Sequence, residues 1–153
     1  MATFAINAAG SSEVVKVLGA RFIESGAGTY AAQFVLPAGS TLLDIEIDAE
    51  ALWAAGTSAS LEVGDVADPD GFFTAIDLKA IDLLAGENLN FSKTGTSEAG
   101  AYFQVAASHG AKGLFNAAER TITATVVSVG AGTTGRTRVR VFFVTSGYTD
   151  ITL

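Results

Sequence analysis

The segment Thr41 to Ala51, TLLDIEIDAEA, alternates without a break. Leu43, Ile45, Ile47, Ala49 and Ala51 share one parity, and Asp44, Glu46, Asp48 and Glu50 share the other. Such a period of two predicts a strand with one buried and one wet face, because a helix would spread both classes around its circumference. Thr121 to Val129 (TITATVVSV) and Thr137 to Thr145 (TRVRVFFVT) are rich in Thr, Val and Phe, which suit a pleated, half-buried surface. GAGTTG lies between them, so the two read as a β-hairpin with a glycine-rich loop.

Further strands are expected at Val14–Phe22, Tyr30–Leu36, Ser60–Val63 and Ala101–Ala107. Turn formers separate them: Gly26–Gly28, Pro37-Ala38-Gly39, Ala55-Gly56, Gly64-Asp65, Pro69-Asp70-Gly71 and Thr94-Gly95. Thr74–Ala85 and Lys112–Glu119 each read as either a short helix or a loop. In the first, Ile76, Leu78, Ile81 and Leu84 recur unevenly. Ala85–Gly100 is polar and long for a connection between strands.

Seven or eight strands without long helices imply two packed antiparallel sheets. The expected fold is an all-β, jelly-roll-like β-sandwich with one or two short helical segments, and a barrel is the competitor. Ten Phe supply core bulk, each worth roughly 1.5–3 kcal/mol when fully buried. The 27 alanines point to tight layers. At 153 residues the chain is one domain, read as an arm over 1–12 and a sandwich over 13–153.

Composition excludes several function classes. Lys plus Arg is 9 and Asp plus Glu is 16, a formal net charge of −7, whereas a nucleic-acid binder needs a basic face to displace counterions. Cysteine is absent, so no disulfide, thiolate nucleophile or Cys-ligated metal is expected. The first residues lack a basic leader, apolar core and cleavage site, and apolar runs fall short of the roughly 20 residues of a membrane span. The expectation is a soluble protein made in the cytosol, with no nucleic-acid or membrane partner.

Gly130 to Thr137, GAGTTGRT, nearly matches a phosphate loop. Nucleotide loops of that kind need a helix after them. Here a strand follows, so a mobile hairpin loop is the reading. Asp65 to Gly71, DVADPDG, places Asp68, Asp70 and Gly71 at calcium-loop positions, with Asp77 at the last ligand position, but Val66 stands where a carboxylate belongs. Pro-Asp-Gly is also ordinary turn composition, so Asp68 and Asp70 read as a turn before an ion site. Asp44, Glu46, Asp48 and Glu50 form an acidic strip whose spacing permits a carboxylate pair. Arg136, Arg138 and Arg140 form a basic strip of the same period, and opposite strips invite cross-strand or cross-subunit pairing. His109 is the only histidine, and no G-x-S-x-G accompanies it. Neither a catalytic set nor a cofactor is expected. Trp53, Tyr30, Tyr102 and Tyr148 could stack on sugar rings, or serve as core or interface anchors.

Leu36 to Leu78 carries an LPAG turn (Leu36-Pro37-Ala38-Gly39), the alternating strand, an AGTS-like turn (Gly56-Thr57-Ser58), Leu61-Glu62-Val63-Gly64-Asp65, and Asp68-Pro69-Asp70-Gly71-Phe72. This stretch resembles small structural proteins encoded in the virion gene clusters of tailed bacteriophages. The resemblance covers a little over a quarter of the chain and implies a non-enzymatic virion component. Small β-sandwich proteins of this kind often decorate or cement the capsid as trimers. It implies a homotrimer on the capsid surface, at junctions between major capsid protein subunits. Arg136, Arg138 and Arg140 are the candidate contact. The alternative is a tail or fibre module binding host-surface glycan through Trp53 or a tyrosine.

Overall fold

A computed structural model describes residues 14–79, 82–93, 98–102 and 114–145. Among these, the strands are β1 (Lys16–Ile23), β2 (Gly28–Leu36), β3 (Ser40–Ala51), β4 (Ser58–Asp65), β5 (Phe73–Asp77), β6 (Asn88–Leu89), β7 (Phe115–Asn116), β8 (Arg120–Val129) and β9 (Arg136–Thr145). One sheet has the order β1-β9-β3-β6, with β7 also pairing β3; the other has the order β2-β8-β4-β5. All pairings are antiparallel.

Alternation places the core. Phe22, Ile45, Ile47, Val139 and Val141 face inward from the first sheet, and Phe34, Leu36, Leu61, Val63, Ile122, Ala124 and Val126 from the second; all belong to one buried cluster. The expected all-β architecture of antiparallel sheets is therefore present.

The anticipated β8–β9 hairpin is not. β8 pairs with β2 and β4, whereas β9 pairs with β1 and β3, so Gly130–Gly135 carries the chain from one sheet to the other. Both strands bury one face, and period-two patterning is silent about which neighbour shares the sheet.

The expected helical segments are also replaced. Phe73–Asp77 is β5, with Phe73 and Ile76 fully buried. Ala75 adopts a left-handed φ of 47°, and the β4–β5 register shifts between Leu61 and Val63. This irregularity disguised the strand as an uneven helical pattern. Of Lys112–Glu119, the described residues 114–119 contain the two-residue β7, which pairs with Ser40 and Thr41. Of the expected strand Ala101–Ala107, Ala101 and Tyr102 lie in a turn and the rest falls outside the described residues, as does the expected arm.

One parity also changes. A register shift separates Leu42, opposite Phe143, from Asp44, opposite Phe142. Leu43 is the extra residue of this bulge and is exposed at 44%, while Leu42 is buried at 1%.

Candidate functional site

The outer face of the first sheet joins the two charged strips. Antiparallel pairing puts Glu46 opposite Arg140 and Asp48 opposite Arg138, at the separation where opposite charges interact across a sheet. Arg140 Nη2 lies 2.5 Å from Glu46 Oε2 and 3.1 Å from Asp48 Oδ2. Arg138 Nε donates to Asp48 Oδ2 at 3.0 Å, and Arg21 on β1 reaches Glu50 at 3.0 Å. Asn88 on β6 donates to Asp48 Oδ1. The network thus spans β1, β9, β3 and β6.

Burial pushes the Asp48 carboxyl up, but hydrogen bonds from Asn88 and Arg138 and the charges of Arg140 and Arg138 outweigh it, leaving it below the ordinary aspartate value. An acid partner in a carboxylate pair requires the opposite displacement. Within the basic strip, Arg138 and Arg140 bind carboxylates of their own chain. Arg136 is exposed and has no acidic partner among the described residues.

The glycine-rich loop does hold an anion, and the anion belongs to the chain itself. Glu24 follows β1 and is 2% exposed. Its Oε2 accepts hydrogen bonds from the amides of Ala54 (3.0 Å), Thr134 (3.1 Å) and Gly135 (2.9 Å). Two glycines permit this approach: a Cβ on Gly132 would lie 2.1 Å from Glu24 Oε1, and one on Gly135 would lie 2.5 Å from the Trp53 ring. Burial pushes the Glu24 carboxyl up, yet amides of Ala54, Gly135, Thr134 and Ala55 prevail and hold it below the ordinary glutamate value. The position a phosphate would take is filled by a side chain. The glycine spacing signalled an anion, but a lone glutamate more than a hundred residues upstream gave no sign of being it.

At the other pole, Asp65 organises the DVADPDG segment. Its Oδ1 accepts from the amides of Ala67 and Asp68 and from Tyr102 Oη, and its Oδ2 binds Arg120 Nε at 2.7 Å. The Arg120 guanidinium lies over the rings of Phe72 and Tyr102, 5.0 Å and 5.3 Å from their centroids. Burial pushes the Asp65 carboxyl up, while the Asp68 amide, Tyr102 and Arg120 bring it below its usual value. Asp70 accepts from the Thr74 hydroxyl. No trio of acidic or histidine side chains suited to a metal occurs among the described residues. Arg120, isolated in sequence, carried no motif that would have marked it.

Trp53 is 3% exposed, its Nε1 donates to Thr137 Oγ1 at 2.9 Å, and Tyr30 meets it edge-on. It is a core residue rather than a platform. His109 and Tyr148 fall outside the described residues.

No protein-family model matches the chain, and no curated protein sequence does. Solved structures share its fold. A chain in the acidic stable capsid structure of Helicobacter pylori bacteriophage KHP30 aligns with a TM-score of 0.56 at 16% identity, covering 88% of this chain and 92% of that one. A chain of the cyanophage Pam1 capsid asymmetric unit aligns with a TM-score of 0.55 at 18% identity, covering 95% and 92%. The two-sheet fold is thus one also found in chains of bacteriophage capsid structures.

Proposed function

We propose that the protein is a structural component of a bacteriophage capsid, of the decoration or cement type. The observation that carries this reading is the fold likeness to chains of two phage capsid structures, extending over about nine-tenths of each chain. The phage-like segment Leu36–Leu78 supports it independently. The strand orders β1-β9-β3-β6 and β2-β8-β4-β5 support a jelly-roll winding, since the chain passes repeatedly between the sheets.

The proposed work is mechanical rather than catalytic. Copies assembled as homotrimers sit on the virion surface where major capsid protein subunits meet. Each copy bound only to the assembled state stabilises that state by mass action. The proposed capsid contact is the face bearing Arg136, Arg138 and Arg140. There Arg136 offers a charge that the chain does not itself neutralise among the described residues.

Purified protein added to shells lacking it tests the proposal. Saturable binding with a gain in resistance to heat or chelator is expected. Absence of both overturns it.

A further inference from the structure

We propose that the strap Gly130–Gly135 and the β3–β4 connection form a receptor for a small planar monocarboxylate, which Glu24 fills as a tethered ligand and which formate or acetate fills when that side chain is removed. This goes beyond the capsid reading and does not depend on it.

The receptor is built without the carboxylate. The Glu24 amide donates to the Gly135 carbonyl at 2.9 Å, and the Gly26 amide donates to the Gly132 carbonyl at 2.8 Å. Main chain alone thus holds the strap against the residues that follow β1. On the β3–β4 connection, the Trp53 amide donates to the Leu78 carbonyl at 3.1 Å and the Thr57 amide to the Val129 carbonyl at 2.9 Å. The Trp53 indole is fixed on Thr137 Oγ1. Gly130 lies against the backbone of Gly56, where a Cβ would come within 2.7 Å of the Gly56 nitrogen. None of these contacts uses the Glu24 side chain. The amides of Ala54, Thr134 and Gly135, which all donate to its Oε2, therefore stay converged when it is cut away. Donors ordered in advance spare a free ligand the cost of ordering them.

Charge and shape choose the occupant. Glu24 is 2% exposed and makes no ion pair among the described residues. Lys79 is held by the carbonyls of Ala55 and Thr57. Amides alone hold one negative charge, with no cation in contact. A phosphate carries more charge, and phosphate loops meet it with a lysine. Arg136 occupies that place in GAGTTGRT, but it is exposed on β9 and does not bond Glu24. Shape agrees with charge. A Cβ on Gly132 would lie 2.1 Å from Glu24 Oε1, so the strap backbone is close against one oxygen while the other takes the three amides. A flat group fits this slot better than a tetrahedral one.

Chemical rescue tests the receptor. E24A and wild type are unfolded in urea at neutral pH with rising sodium formate or acetate, against sodium chloride at matched ionic strength, and circular dichroism reports the fold. A ligand that binds only the folded chain raises its midpoint with concentration. Formate and acetate are expected to raise the E24A midpoint saturably, recovering at least half of its difference from wild type. Wild type, whose receptor is full, should respond to them no more than to chloride. Phosphate stabilises folded proteins in general, so its effect is scored as the excess over wild type, and no excess is expected. E24A/G132A, with a methyl where the carboxyl oxygen stood, should lose the response. If E24A does not fold alone, the same salts are compared in sucrose, which favours the folded state. No saturable rise with either carboxylate, an equal rise in wild type, an excess from phosphate as large as that from acetate, or an undiminished response in E24A/G132A overturns the proposal. Shell binding has no part in the readout, so the capsid role stands or falls separately.

Discussion

Glu24 and Gly135 are bound to each other twice: the Glu24 amide donates to the Gly135 carbonyl at 2.9 Å, and the Gly135 amide donates to Glu24 Oε2 at 2.9 Å. The end of β1 and the start of β9 are thereby locked in one orientation. The same carboxylate also reaches the β3–β4 connection through Ala54. Three connections converge on one buried charge.

Glu24→Gln keeps the shape and removes the charge. Hydrogen bonds to a charged acceptor are worth about 1.5–3 kcal/mol each in net terms, and a glutamine whose oxygen keeps the three amides holds them without the charge and buries its NH2 at the position of Oε1. A loss of about 3 kcal/mol is expected, read as a lower urea midpoint at unchanged slope. A wild-type midpoint in this variant would show that the clamp contributes nothing.

The same residue sets a pH dependence. Its folded value lies below the ordinary 4.5, so its contribution is fully present above that pH and is lost as pH falls toward the folded value. Asp48 and Asp65, both held below 3.8, add the same sign in a more acidic window. Stability should therefore decline below about pH 4.5, and Glu24→Gln should show a shallower acid limb in urea titrations between pH 5 and 3.

Leu42 and Leu43 separate the bulged register from simple alternation. Leu42→Ala should cost about 2–5 kcal/mol as a core truncation, whereas Leu43→Ala should stay within about 0.5 kcal/mol as a surface change. Continuous alternation from Leu43 demands the reverse order, which thermal or denaturant unfolding distinguishes directly.

The Asp65–Arg120 pair is nearly sheltered, its side chains 11% and 15% exposed. Removing one partner of a buried pair strands the other, so Arg120→Leu should cost about 3 kcal/mol. The exposed Arg21–Glu50 pair should be worth less than about 1 kcal/mol and fade in high salt. Calcium should leave the melting temperature unchanged, because Asp65 is committed to Arg120 and Asp70 to Thr74. A calcium-dependent rise would instead assign an ion to this turn.

Much of the fold was legible because it is local. Period two in Thr41–Ala51 and the Thr, Val and Phe content of the two later runs identified β3, β8 and β9, and the match of charge periods on β3 and β9 left cross-strand pairing open beside cross-subunit pairing. Sheet membership was not legible. Thr121–Val129 and Thr137–Thr145 carry the same pattern whether they pair together or face each other across the core. β5 escaped because Ala75 interrupts its pleat, and Leu43 was misplaced because a bulge leaves no mark in hydropathy. Glu24 and Arg120 were missed for a different reason. Their roles depend on partners far away in the chain, and a single charged residue in an apolar setting looks the same whether it is solvated or enclosed.

The crossing made by Gly130–Gly135 has a topological outcome. Where a hairpin tip can be cut or lengthened with little harm, this strap ties opposite layers of the molecule, and its amides hold a charge that would otherwise be stranded. A new pair of termini opened there should unlatch both sheets at once.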